Sequence, residues 1–182
     1  MVTDLAEVRR LAESKEAENL SFRRYLHAHH HDRVEPFQII ASRIETQIDC
    51  TQCANCCREL IVEVTRVEVE AIAAYLNMSV GDVLLKHTKA DPEDSRKRVL
   101  RNERDACTFL DGNLCLIYEV RPRPCRQFPH VHPGEHTLGS RIESACRHSV
   151  VCPILYHALE EYKHQAGYHE RDGPAGPAPT SG

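Results

Sequence analysis

The chain has 182 residues, a formal net charge of −4 and 41% hydrophobic residues. This length predicts one domain with a core of its own. The acidic balance excludes the basic surface that nucleic acid or anionic lipid would require. Residues 1–10 lack the apolar core of a secretory signal, and no run of about 18 apolar residues occurs. We therefore expect a soluble, cytoplasmic protein with no nucleic-acid or membrane partner.

Helical patterns dominate the first 49 residues. Residues 3–30 combine a broken apolar stripe with acidic residues near the start, which predicts a surface helix or two. Phe37, Ile40, Ile44 and Ile48 then recur at helical spacing, which predicts a further helix leading into the first cysteines. We expect residues 1–49 to form an N-terminal helical extension.

Short strands and helices are predicted in the next section of the chain. The β-branched run at residues 60–64 predicts a strand, and Thr65 with Glu68 fits a capping box that opens a helix to about Leu76. Residues 79–86 predict another short helix, and the charged segment 91–97 predicts a loop. Val99 and Leu100 fit an edge strand.

A hairpin and a proline-rich segment follow. Asp111-Gly112 is a strong turn signal, and it predicts a hairpin with Cys107 on one arm and Cys115 on the other. The prolines of residues 121–129 predict a rigid loop that displays Cys125. Pro153 fits the first turn of a last helix that Gly167 can end.

These elements together predict the fold class and the domain boundaries. We expect a small, mostly helical α+β domain over residues 50–168, with a short β-hairpin, organised around a cysteine-ligated metal centre. Residues 169–182 are rich in Gly, Pro and Ala and predict a disordered tail.

Cysteine is the unusual residue type, with nine in the chain. Clustered thiols in a reducing compartment are more often metal ligands or redox catalysts than disulfides. Residues 50–57 hold four of them in the pattern C-x2-C-x2-C-C, a spacing that lets a turning backbone aim successive thiolates at one centre in zinc and iron–sulfur sites. Neighbouring Cβ atoms point to different sides, so Cys56 and Cys57 favour two metal centres or one polynuclear centre.

Eight of the nine thiols divide into two sets of four, the number that a closed zinc site or a four-iron cluster requires. Cys152 precedes Pro153, as the last ligand of a ferredoxin-type loop does. We assign Cys50, Cys53, Cys56 and Cys152 to one set and Cys57, Cys107, Cys115 and Cys125 to the other, on the basis of turn geometry. Cys146 is the weakest of the nine candidate ligands.

The combined motifs resemble a known family. The four cysteines of residues 50–57, Thr65-x-x-Glu68, Cys107-x-Phe-Leu and the run from Gly112 through Cys125 to Pro129 are similar to the CxxCxxCC family of zinc- or iron-chelating, YkgJ-like cysteine cluster proteins, over about residues 50–155. The resemblance implies a metal-chelating domain with zinc, iron or an iron–sulfur cluster as cofactor. Many members carry Gly between the second and third cysteines, where this chain has Ala54-Asn55. We expect Asn55 to supply the left-handed turn.

Other interpretations remain open. The chain could be an iron–sulfur oxidoreductase or a protein-modifying enzyme, since flagellin lysine N-methylases have a related cysteine pattern. No nucleotide-binding glycine motif supports an enzyme. Thiol–disulfide exchange through Cys53 and Cys56 lacks the βαβ pattern that usually surrounds it.

Two histidine groups are candidate metal ligands or plain surface residues: His27, His29, His30 and His31; His130, His132 and His136. Three arginines, Arg121, Arg123 and Arg126, could stabilise thiolates or lie in solvent.

Overall fold

The computed structural model describes residues 1–29, 33–103, 105–131 and 137–169. It divides into two compact units. The helical unit comprises Met1–Ile48 and Pro129–Gly182, and the cysteine unit comprises Asp49–Phe128. The contacts thus group the first 48 residues with the C-terminal helices, whereas the sequence analysis places residues 50–168 in one domain.

Helices make up most of the described residues. They are α1 (Leu5–Ser14), α2 (Glu16–Ala28), α3 (Glu35–Glu45), α4 (Cys50–Cys53), α5 (Asn55–Glu59), α6 (Arg66–Tyr75), α7 (Val80–His87), α8 (Arg123–Gln127), α9 (Leu138–His148) and α10 (Pro153–Gln165). The strands are β1 (Glu63–Val64), β2 (Thr88–Ala90), β3 (Arg98–Leu100), β4 (Asn102–Glu103), β5 (Ala106–Cys107), β6 (Leu110–Asp111) and β7 (Leu114–Cys115). This mixture of many helices and short antiparallel strands confirms the predicted α+β class.

The helical unit has an aromatic and aliphatic core. Asp4 caps α1 by accepting a hydrogen bond from the Glu7 N–H, and α2 follows after a single residue, so two helices form where one or two were predicted. α10 packs against α3 and α9. The rings of Phe22 and Phe37 meet Tyr162 edge to face, with centroids 5.8 and 5.7 Å apart. These contacts bury the apolar faces of α2, α3 and α10 together.

A buried ion network adds to this core. The Lys163 side chain is 4% exposed, and its ammonium donates to Glu18 at 2.9 Å and also to Glu160. Lys15 approaches the same two carboxylates, at 2.6 Å from Glu18 and 3.7 Å from Glu160. A buried ammonium is tolerated only when carboxylates compensate for its lost hydration. The network therefore fixes α2 against α10.

The cysteine unit is built on a three-stranded antiparallel sheet of order β1-β3-β2. Glu63 pairs with Val99 on one side of β3, and Lys89 pairs with Val99 on the other. The predicted capping box opens α6 as expected, since Thr65 and Glu68 exchange hydrogen bonds. α6, α7 and the sheet enclose an apolar core of Val64, Val69, Ile72, Ala73, Val83, Leu100, Phe109 and Ile117.

Several local predictions are wrong. β3 is the central strand and not an edge, because β1 pairs with it on one side and β2 on the other. Cys107 lies on β5, which pairs with β4, so the hairpin that carries Cys115 is shorter than expected and holds one cysteine. The proline-rich segment forms α8 instead of a loop, since prolines fit a first helical turn. The strand predicted for residues 60–64 is restricted to β1.

Some features were missed, and others lie outside the described residues. α9 was not predicted, although Thr137 caps it by accepting a hydrogen bond from the Ser140 N–H. α10 begins at Pro153, and Gly167 follows it with a φ of 71°, as predicted. The predicted tail falls outside the described residues after His169. Across the described part of the chain, no helix has the length and apolarity that a bilayer crossing needs.

The buried ion network predicts that two substitutions of cationic side chains in the helical unit change the free energy of unfolding by unequal amounts. Lys163→Ala leaves Glu18 and Glu160 without their buried partner, and we expect it to lower the free energy of unfolding by about 3 kcal/mol. Arg10→Ala removes an exposed pair with Glu7 and should leave the free energy of unfolding nearly unchanged. Urea unfolding measures both, and equal losses would contradict a special role for Lys163.

Candidate metal centre

A sharp turn separates Cys50 and Cys53 in α4 from Cys56 and Cys57 in α5. Asp49 caps α4 by accepting a hydrogen bond from the Thr51 N–H at 2.8 Å. Ala54 then adopts a left-handed conformation with φ 50° and ψ 15°, and α5 starts at the next residue. The prediction for Asn55 is wrong, since it is buried in α5 and the left-handed residue is Ala54, the position before it.

Three more cysteines of the cysteine unit lie on separate elements. Cys107 is on β5, Cys115 is on β7 and Cys125 is in α8. α5, which contains Cys56 and Cys57, packs against β5. The Leu116 N–H donates to the Phe109 carbonyl at 2.8 Å and joins the segments that follow Cys107 and Cys115. Both of these thiols pack against the apolar core of the unit.

Four thiols of the cysteine unit lie within electrostatic range of one another. Cys57, Cys107, Cys115 and Cys125 each interact electrostatically with the other three. Cys56 hydrogen-bonds to Cys57, and Cys53 lies close enough to Cys57 for the two charges to interact. In the cysteine unit, five other thiols thus interact with Cys57, and they span 72 positions of sequence from Cys53 to Cys125.

Cys57 is the thiol that the surroundings favour as an anion. The hydrogen bond from Cys56, together with the guanidinium groups of Arg121 and Arg58, lowers the pKa of Cys57 to about 7, although burial opposes the shift. Hydrogen bonds and nearby cations stabilise a thiolate more than a thiol. A substantial share of Cys57 is therefore a thiolate near neutral pH, ready to bind a soft cation.

Its neighbours are held as neutral thiols in the absence of a cation. Burial raises the pKa of Cys107 to about 11 and that of Cys125 to about 12, and the charge of Cys57 adds to both shifts. Burial also raises the pKa of Cys53 and Cys115. Several thiolates in one small volume repel each other, so only a bound cation allows the group to ionise together.

Backbone amides point at three of these sulfur atoms. The N–H groups of Asn55, Phe109 and Ile117 hydrogen-bond to Cys53, Cys107 and Cys115 respectively, each from two residues further along the chain. Such bonds lower the pKa of a thiol and stabilise the thiolate of a metal site. The donors are already in place around the group.

The three candidate arginines have different partners. Arg121 lies near Cys57, Cys115 and Cys125, where it favours their thiolate forms. It also stacks over the Tyr118 ring, 3.5 Å from its centroid. Arg126 donates to the Arg121 carbonyl, and the Arg123 N–H instead donates to Glu68 at 2.6 Å. Since Glu68 also caps α6, this bond fixes the start of α8 and hence the position of Cys125.

The other predicted ligands lie elsewhere. Cys50 is exposed in α4. Cys146 and Cys152 belong to the helical unit, where Cys146 lines a groove with Asn19 and Arg23 and has a pKa raised to about 11 by burial, and Cys152 is buried before α10. His29 stacks on Tyr25. His30, His31, His132 and His136 lie outside the described residues.

The chemistry of the donor set fits a thiophilic cation. All nine cysteines are free, and sulfur is the donor that zinc and iron–sulfur clusters use in closed four-coordinate sites. Among the residues that the structure describes, no three His, Cys, Asp or Glu side chains have the arrangement of a ready-made metal site.

The family comparison agrees with this sulfur chemistry. Residues 49–153 match the model of the CxxCxxCC family, whose description is "Putative zinc- or iron-chelating domain". The chain belongs to the CxxCxxCC family. The match covers the whole cysteine unit with its seven thiols, and it continues through Cys146 and Cys152. No curated protein and no solved structure matches the chain.

The left-handed turn predicts how position 54 of this CxxCxxCC domain responds to substitution. Ala54→Gly relieves the strain of a Cβ atom at φ 50° but loses a buried methyl group, so we expect a change in the free energy of unfolding within about 1 kcal/mol. Ala54→Val adds a branched side chain that this conformation disfavours and should cost about 2 kcal/mol or more. Thermal or urea unfolding tests the pair, and a tolerated valine would contradict the observed turn.

The raised thiol pKa values predict that the metal-free protein is destabilised by alkali. The pKa of an ordinary thiol is near 9, whereas the folded protein retains the protons of Cys107 and Cys125 to about 11 and 12. Above pH 9 the unfolded chain binds fewer protons, so the free energy of unfolding falls as the pH rises from about 9 to about 12.

Urea unfolding of reduced, metal-free protein between about pH 8 and about pH 10.5 measures this loss. The matched variant Cys125→Ala lacks one of the titrating thiols and should lose stability less steeply over the same range. Identical slopes for the two proteins would contradict a buried, neutral Cys125.

Proposed function

We propose that this CxxCxxCC domain binds zinc or iron through the thiolates of Cys57, Cys107, Cys115 and Cys125. The observation that supports the proposal is their mutual interaction, since each of the four thiols interacts electrostatically with the other three although they come from four elements. Four thiolates satisfy a closed zinc site, and they equally satisfy a four-iron cluster. The role is chelation, with the metal as a resident part of the fold.

The chain's own groups would assist in four ways. Cys57 would bind first, because it is the one of these four thiols whose pKa the surroundings lower. Arg58 and Arg121 would offset the negative charge of the thiolates. The amides of Phe109 and Ile117 would hold two of the sulfurs in orientation. Glu68, through the Arg123 N–H, would hold α8 and with it Cys125.

Two further thiols, those of Cys56 and Cys53, interact with Cys57 of this set. Cys56 donates to Cys57, and Cys53 accepts from the Asn55 N–H. In a polynuclear centre they supply further ligands, and in a mononuclear centre they tune the charge on Cys57. The other predicted set of Cys50, Cys53, Cys56 and Cys152 includes a residue of the helical unit and stays a prediction. Cys146 is outside the proposed set.

Metal analysis of single variants tests the proposal. Protein purified without oxygen should contain stoichiometric zinc or iron. Cys125→Ser should lose more affinity than the 10–100-fold typical of changes around a ligand. The matched control Cys146→Ser removes a buried thiol of the helical unit and should retain the metal. Metal-free wild-type protein, or full metal content in Cys125→Ser, would contradict the proposal.

Acid-labile sulfide distinguishes the two kinds of centre. A colourless protein with zinc and no sulfide indicates a thiolate zinc site. A brown protein with sulfide and absorbance near 400 nm indicates an iron–sulfur cluster, and it would justify assays for electron transfer or protein modification. Each result assigns the metal without a known substrate.

A further inference from the structure

The turn between β6 and β7 is hydrogen-bonded to the segment of α4 and α5. One nitrogen of the Arg58 guanidinium, Nη2, donates to the Gly112 carbonyl at 2.9 Å and to the Asn113 Oδ1 at 2.6 Å. The other, Nη1, donates to the Cys53 carbonyl at 3.1 Å. One side chain thus joins the turn after Cys53 to a hairpin that lies 54 residues away in sequence.

Asn113 makes the return contact. Its Nδ2 donates to the Gln52 carbonyl at 2.9 Å, while its Oδ1 accepts from Arg58. Both ends of the amide are therefore used, and both act across the same junction. Gly112 has a φ of 59°, a conformation that a residue with a Cβ atom adopts at a cost. The turn presents the Gly112 carbonyl and the Asn113 side chain to Arg58 together.

We infer that Arg58 and Asn113 form a clip that sets the spacing between the thiols of α4 and α5 and the thiol of Cys115. Arg58 directly follows Cys57, and Asn113 precedes Cys115 by two residues. The hydrogen bonds of the clip thus act within two residues of thiols on both sides of the centre. This inference rests on the proposed metal binding, and it assigns positioning roles to two residues that have no sulfur.

Arginine is required in the clip because of its shape. The planar guanidinium has five donors in a fixed fork, and here two of its nitrogens bind three acceptors. A lysine ammonium keeps the positive charge but cannot hold the same acceptors in one plane. Arg58→Lys therefore separates the geometric role of residue 58 from its charge next to Cys57.

Zinc affinity and a cobalt spectrum test the clip in the full-length protein. We expect Arg58→Lys and Asn113→Ala each to weaken zinc binding by about 10–100-fold in competition with a chromophoric chelator, the loss typical of residues that orient ligands. The sulfur-to-cobalt absorption of Co²⁺-loaded protein should fall or shift in both variants. The matched control Arg66→Lys alters an exposed arginine that pairs with Glu70 and should leave both readouts unchanged.

The double variant Arg58→Lys with Asn113→Ala adds a second test. Either single change opens the same clip. We therefore expect the zinc affinity of the double variant to be close to that of the single variant with the lower affinity. Losses that simply add would contradict a shared device. A lower melting temperature with unchanged zinc affinity and cobalt spectrum would overturn the clip and leave a structural role only.

The wild-type protein separates this inference from the proposal on which it rests. Wild-type protein that binds neither Zn²⁺ nor Co²⁺ overturns both. Wild-type protein that binds the ions, together with single variants that bind them equally well, overturns the clip alone and leaves the four-thiolate site intact.

Discussion

The burial of four thiols whose negative charges would repel one another is the constraint on which the cysteine unit depends. Its sheet, hairpins and short helices bring Cys57, Cys107, Cys115 and Cys125 into one small volume, where burial keeps three of them protonated. A bound cation would make the ionisation of all four thiols favourable, because each thiolate would gain a shared counter-charge. The proposed chelation would therefore use an arrangement that the fold itself produces.

The clip and the capping box control that arrangement from outside the sulfur group. Arg58 and Asn113 fix one side through hydrogen bonds to Gly112, Cys53 and Gln52, and Glu68 fixes the start of α8. None of these contacts involves a thiol. Residues around metal ligands commonly orient them and tune their charge. The helical unit has its own stabilising centre, the Lys163 ion network and the aromatic packing on Tyr162.

The sequence predicted features that depend on local signals. The capping box at Thr65, the helix that begins at Pro153 and the two N-terminal helices follow from residues within one or two turns. The position of Cys107 did not, because β5 pairs with β4 instead of with the arm that carries Cys115. The same limit applies to the hydrogen bonds from Arg58 to Gly112 and from Asn113 to Gln52, which join residues 54 and 61 positions apart in sequence. The four thiols of the set named from turn geometry interact electrostatically in the structure, and their role as the ligand set stays a prediction.

X-ray absorption at the metal edge of protein purified without oxygen tests the central claim most directly. The account predicts a first shell made of sulfur, with a metal–sulfur distance of about 2.3 Å for zinc. It also predicts that this shell is lost or loses sulfur in Cys57→Ser. A shell dominated by nitrogen or oxygen in the wild-type protein would contradict the account, because the metal would then be held by groups other than the converging thiols.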